Sequence, residues 1–565
     1  MKTQEFSSYY KSEINLLREV GKEYAKKQPL VASYLSETSN DPDTERLIEA
    51  TAFLNANLKK ELDDSFGIFS NDLIDIIYPD VVKSKPSVSI VEISPTSNLS
   101  EKLFVKKGSY FNSKKVNNVT CKFGSTWDLN VYPIKLLDVI FKDEVDESSH
   151  LKLTFQSSAK IKILEMSTLD FFINMPLPNS YTLVKMLMNN LKGITLEYEN
   201  KKIPIQKENL INLGFENDHN LFTYNRKTLQ RFKLLNEYFS FPRKNLFFRF
   251  ENMLKYSNLI TGNKFSIVFD FDISDLSLLD MKKISILLYC IPVANIFMYD
   301  TEPVKINYLN ETVKVVTSFN EEENYLLYEI NEVRGLKNSN PQRNTYAPFN
   351  HFNDGEYVYK FFRKKALGDF RQEEGYLQVF YKNTENIDDL LAINANVTNG
   401  ALCESLQIGD INLSSENSPE YCTFSNVIIP STYIESPIDD ERLTFIISHI
   451  STNIFGLNDI EDLKTILKFY VADYSRDKER NKINLKKIAS LDKLSIEDST
   501  KLKNGMLING KEINISMDSS EFVNISEMYI FSHVIFNFFK YSIAINNFVY
   551  LKIVDTYSGE SFILS

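Results

Sequence analysis

From the N-terminus to Leu62 the apolar positions recur every three or four residues. Within 4–27, Tyr10, Ile14, Leu17, Gly21 and Tyr24 share one face, while Lys11, Ser12, Arg18, Lys22 and Lys26 fall elsewhere. That period predicts an amphipathic helix, stopped by Pro29. Asp41-Pro42 suits a second helix start, a polar cap followed by proline in the first turn. Its stripe is Leu47, Ala50, Leu54, Leu58 and Leu62. A short third helix is predicted from Asn71 to Ile77, before Pro79. Two long striped helices ahead of any strand suit a bundle completed by another chain as well as a self-contained helical subdomain.

Past Pro86 the period shortens to two. Ser87–Ile93 is β-branched and partly alternating. Phe265, Ile267, Phe269, Phe271 and Ile273 alternate with Ser266, Asp270 and Asp272, the pattern of a strand with one buried face. Residues 284–298 form the most apolar stretch and predict a buried strand and turn at a domain junction. Residues 304–330 and 357–363 are strand-like. Between them, 335–356 is rich in Asn, Pro, Gly and charge and predicts a loop, as does 411–420. Helical character returns at Arg442–Ile450 and Asp459–Tyr470. Asn509-Gly510 between short apolar runs predicts a two-residue hairpin over Met506–Ile515. A helix over Phe531–Ile543 and a strand over Phe548–Val554 follow.

These elements predict a multi-domain α+β chain: amphipathic helices, then antiparallel β-rich domains, then a mixed C-terminal region. The expected division is 1–85, 86–300, 301–435 and 436–565. Its 565 residues allow about three or four domains.

Composition narrows the function. Glycine is scarce, 17 residues in all, and phosphate-cradling loops need it. The net charge of -11 lacks the basic footprint of a nucleic-acid binder. Cys121, Cys290, Cys403 and Cys422 form no C-x-x-C pair, so free thiols are expected. The five histidines, His150, His219, His351, His449 and His533, show no ligand spacing. Asp270, Asp272 and Asp275 could suggest a metal site, but strand alternation already explains the first two as outward residues. Gly505–Lys511 reads G-x-x-x-x-G-K, yet Glu512 stands where the phosphate loop needs Ser or Thr. No catalytic, cofactor-binding or metal residue is therefore assigned. No stretch approaches 18 uncharged apolar residues and no signal-peptide core is visible, which predicts a cytoplasmic protein.

Several blocks then carry a resemblance. YYKSEINLLREVGKEYAKKQP runs from Tyr9, DPDTERLIEATAFLNANLKKELDD from Asp41, and LIDIIYPDVVKSKPS follows with Tyr78-Pro79 and Pro86-Ser87. LLNEYFSFPRKNLFF runs from Leu234 and YCIPVANIFMYDTEPV from Tyr289, with Pro292, Asn295, Phe297 and Pro303; GMLINGKEINISMD and INNFVYL match more loosely. In order and across residues 9 to 555, they resemble the TssF family of type VI secretion, also called VasA or ImpG. Arg243, Thr51, Gln28 and Asp80 depart from the family's usual residues, as in a divergent branch.

The resemblance implies a structural wedge subunit of a contractile baseplate, with no cofactor and no catalysis. It implies TssG-like, TssK-like and TssE-like partners, a VgrG spike, a second copy of the chain within the wedge, and docking to the inner-membrane complex through partners. Its interface candidates are Tyr10, Ile14, Leu17, Leu47, Leu54 and Leu58. The alternatives are a wedge protein of a phage or extracellular injection particle and, more distantly, a hydrolytic enzyme.

Overall fold

The computed structural model describes residues 2–27, 42–43, 45–59, 80, 83–143, 148–225, 230–272, 284–307, 312–318, 324–337, 340–349, 357–365, 373–381, 388–436, 459–471, 477–503, 505–542 and 547–565. It divides into two compact units. One is Met1–Val82 with Lys365–Glu373 and Ile438–Ile447; the other is Lys83–Lys364, Glu374–Pro437 and Ser448–Ser565. The smaller unit contains helix α1 (Lys2–Lys27) and helix α2 (45–59). The expected helices at Asn71–Ile77 and Arg442–Ile450 lie outside the described residues.

The larger unit is built on mainly antiparallel sheets. A six-stranded sheet has the order Ile411–Ser414, Tyr110–Val116, Val119–Ser125, Cys290–Ala294, Val88–Pro95, Cys422–Asn426. It therefore draws strands from both the 86–300 and the 301–435 segments. The apolar stretch after residue 284 supplies its strand Cys290–Ala294, buried at every position. That strand ends on Asn295, which is fully buried. The Asn295 side-chain oxygen accepts from Asn399 N at 2.6 Å and Thr398 Oγ1 at 2.7 Å; its amide donates to Lys122 O at 2.8 Å and Asn399 Oδ1 at 2.9 Å. One side chain thus joins this sheet to Asp388–Thr398, a central strand of the neighbouring eight-stranded sheet.

A five-stranded sheet runs Lys201–Ile205, Leu191–Tyr198, Lys264–Asp272, Ser148–Ser157, Ile134–Asp143, and a four-stranded one runs Leu210–Asn212, Phe247–Phe250, Leu169–Ile173, Ile286–Leu288. The alternation read at Phe265–Phe271 holds: Phe265, Ile267, Phe269 and Phe271 are buried. Phe269 meets Phe250 and Phe171 of the four-stranded sheet at 5.8 and 6.4 Å between ring centres. Asp270 and Asp272 point away, toward His150 (2.6 Å) and Lys192 (3.5 Å).

Parts of two predicted loops are strand instead. Within 335–356, Gly335–Lys337 pairs with Asn340–Asn344 across a register shift at Leu336/Lys337, and within 411–420 Ile411–Ser414 pairs with Tyr110–Val116. Polar composition alone mimicked a loop there. The predicted hairpin is also displaced. Met506–Met517 is one strand, paired with Leu491–Lys503 from Lys503↔Met506 outward, so the chain reverses before Met506 and not at Asn509-Gly510. Gly505 has φ +79°, as such a turn requires. Gly510 lies mid-strand beside the parallel strand Phe548–Asp555, where a Cβ would stand 2.6 Å from the Phe548 ring.

Among the described residues, five helices of 11 residues or more flank these sheets: α3 (Leu177–Asn189), α4 (Gln230–Ser240), α5 (Ile460–Tyr470), α6 (Lys478–Ala489) and α7 (Ile525–Lys540). α7 begins six residues before the predicted start because Asn524 caps it, accepting from Glu527 N at 2.8 Å. It is nearly all buried and packs on α4 through Tyr238–Phe531 at 5.9 Å.

Replacing Asn295 by Ala strands Thr398, Lys122 and Asn399 partners; equilibrium urea unfolding is expected to show a loss of about 3 kcal/mol or more. Gly510→Ala is expected to cost about 1–3 kcal/mol in the same assay, since the strands must part to admit a methyl.

Candidate interaction site

Helix geometry sorts the N-terminal candidates. On α2, Leu47, Leu54 and Leu58 fall on one side and are 69%, 62% and 59% exposed. Ala52 and Ala56, on the opposite side, are fully buried. Glu45 and Lys59 share that alanine side. Glu45 accepts from Arg18 at 2.9 Å and Lys59 donates to Glu13 at 3.0 Å, so α1 lies against the alanines. Small residues let the two backbones approach, and the ion pairs fix the arrangement at both ends of α2. The leucine stripe is left facing outward.

Tyr10, Ile14 and Leu17 are half-buried along one side of α1, around the buried Glu13. Leu16, Val20 and Tyr24 are each at least half exposed. The sequence reading grouped Tyr24 with Tyr10, Ile14 and Leu17 and did not name Leu16 and Val20; a spacing of four residues was the available signal. Together the helices display Leu16, Val20, Tyr24, Leu47, Leu54 and Leu58 on the surface of this unit. These exposed apolar stripes make the two helices the candidate protein-binding surface.

The larger unit offers little for catalysis. Among the described residues no cluster of three His, Cys, Asp or Glu side chains could hold a metal. His150, His219 and His533 lie apart: the first bonds Asp270, the second stands 3.4 Å from Arg249 and beside Trp127, the third packs on Tyr529. His351 and His449 fall outside the described residues. Gly505–Lys511 is turn and strand, with no helix after it to receive a phosphate. Cys121, Cys290, Cys403 and Cys422 are free thiols, three of them buried. Several ionic groups inside the unit are paired for structure: Lys244 with Glu237 at 2.5 Å, Lys487 with Glu527 at 2.7 Å, and Arg249 with both oxygens of Asp170 at 2.7 Å.

Residues 2–563 match the sequence profile of a family described as "Type VI secretion system, TssF". The chain belongs to that family. The type VI secretion system component TssF1 of Pseudomonas aeruginosa is 23% identical over 318 residues, which span 51% of each protein. This chain thus aligns with about half the length of that TssF relative. A cryo-electron microscopy structure of the type VI TssK–TssF–TssG baseplate subcomplex contains a chain with the same fold, at TM-score 0.77 and 20% identity over 92% of this chain and 98% of that one. A structure of the type VI baseplate complex contains another, at TM-score 0.63 and 18% identity over 99% and 98%. Among the described residues of this TssF family member, no helix is long and apolar enough to cross a membrane.

Burial, reinforced by the charge of Lys540, lowers the His533 pKa to about 4. The folded state therefore favours neutral imidazole, and its contribution is present above about pH 6.5 and lost as pH falls toward 4. Between pH 7 and pH 5 this costs about 2 kcal/mol of stability. Urea unfolding of His533→Leu at both pH values is expected to show that much less pH dependence than the wild-type chain.

Proposed function

We propose that this chain is a structural wedge subunit of a type VI secretion baseplate and acts by assembly, not catalysis. The observation that carries the reading is the family match over residues 2–563, nearly the whole chain. The exposed stripes of α1 and α2 supply its physical basis. Apolar side chains held on a rigid pair of helices lose little freedom on docking, and burying a leucine stabilises a complex by about 1.5–3 kcal/mol.

In this reading the helical unit docks a TssG-like chain through a bundle centred on Leu47, Leu54 and Leu58. TssK-like and TssE-like subunits, a second copy of the chain and the VgrG spike complete the wedge surroundings. The protein works in the cytoplasm and reaches the inner-membrane complex through those partners. The likeness to a chain in the TssK–TssF–TssG subcomplex supports the TssG-like and TssK-like members of this set.

Leu54 and Leu58 are exposed in the chain itself, so Leu54→Asp with Leu58→Asp is expected to leave its thermal melting unchanged. Co-purification with a co-expressed TssG-like partner is expected to be lost. A complex that survives the double substitution intact would refute the bundle assignment.

A further inference from the structure

Among the described residues, two sheets of the larger unit leave a strand edge unpaired toward the same cleft. Ile134–Asp143 ends the five-stranded sheet and pairs only with Ser148–Ser157 among the described strands. Ile286–Leu288 ends the four-stranded sheet and pairs there only with Leu169–Ile173. Between the two edges lies a cavity of about 560 Å³, lined by residues 134–139 and 284–289 and floored by Glu92–Pro95 of the six-stranded sheet. Unpaired strand edges present rows of N–H and C=O groups ready to pair with another extended chain.

The cleft also has a charge preference. Glu92 lines it, half-buried, and no cation pairs with it among the described residues. Burial holds its carboxyl above the usual carboxylate range. A carboxylate withdrawn from water without a cation is costly, so the cleft favours an occupant that brings one. The six lining positions 134–139 extend about 20 Å, the length of an ordinary strand.

We infer that this cleft receives an extended segment of a partner polypeptide, added as a strand along Ile134–Asp143 with a Lys or Arg set against Glu92. Main-chain pairing would supply affinity and the Glu92 contact register. The edge is guarded against indiscriminate pairing. The register shifts between Leu136 and Asp138, leaving Leu137 as a bulge with its side chain in solvent, and Lys135, Asp138 and Lys142 place both charge signs along the strand. A segment added along this edge must be extended, which excludes a helix.

The choice of partner rests on the baseplate reading; the cleft itself does not. The test is hydrogen–deuterium exchange of the full chain, alone and in complex with co-expressed TssG-like and TssK-like proteins. Amides of 134–143 and 284–289 are expected to exchange at least about tenfold more slowly in the complex. Glu92→Lys is expected to restore fast exchange there, and Glu92→Gln to do so in part, with thermal melting of the free chain confirming that both remain folded. A complex that forms while these amides exchange as in the free chain overturns the inference and leaves the baseplate reading standing. Protection that appears in the free chain and grows with its concentration assigns the cleft to a second copy and overturns the partner assignment. If no complex forms, the baseplate reading fails and the partner assignment falls with it.

Discussion

Asn295 holds together parts of the larger unit that are far apart in sequence. Its amide has two donors and an oxygen with two lone pairs, and all are used, on Lys122, Thr398 and Asn399. Its backbone N–H also bonds Ser87 O. A buried amide is tolerated only when fully satisfied, and satisfying this one requires three segments to arrive together. Two sheets are thereby fixed at one point, and the strands around it inherit their positions.

The apolar packing follows from that frame. Phenylalanines on facing sheets meet edge-on or offset, as at Phe171, Phe250 and Phe269, and these contacts bring large buried area at low rotamer cost. α7 does the same for the C-terminal region through Phe531 and Phe538. The scarcity of glycine fits a molecule made of long strands and side-chain contacts, with few tight backbone approaches.

Much of this was legible in the sequence. Strict alternation at Phe265–Phe271 identified a strand and its inner face, and the three-or-four spacing identified α1 and α2. What was misread has a common cause. Strands can carry so many polar residues, as around 335–344, that composition resembles a loop; pairing across the sheet, invisible locally, decides the matter. For the interaction face, the leucines of α2 were legible, but their outward orientation was not. It depends on Ala52 and Ala56 being the side that packs, together with the charges at Glu13, Arg18, Glu45 and Lys59. The apolar residues of α1 differ in exposure, and only the packing separates Leu16 and Val20 from Ile14 and Leu17.

The two Asn-Gly pairs of the C-terminal hairpin have a consequence for how the chain folds. Locally, Asn504-Gly505 and Asn509-Gly510 are equivalent turn signals in the sequence, and the strand runs straight through the second. The longer register from Lys503↔Met506 is favoured by its many paired residues, and Phe548 then closes over Gly510. Because Phe548 arrives only after α7, the glycine that first offers a wrong turn becomes the place where the finished sheet is locked.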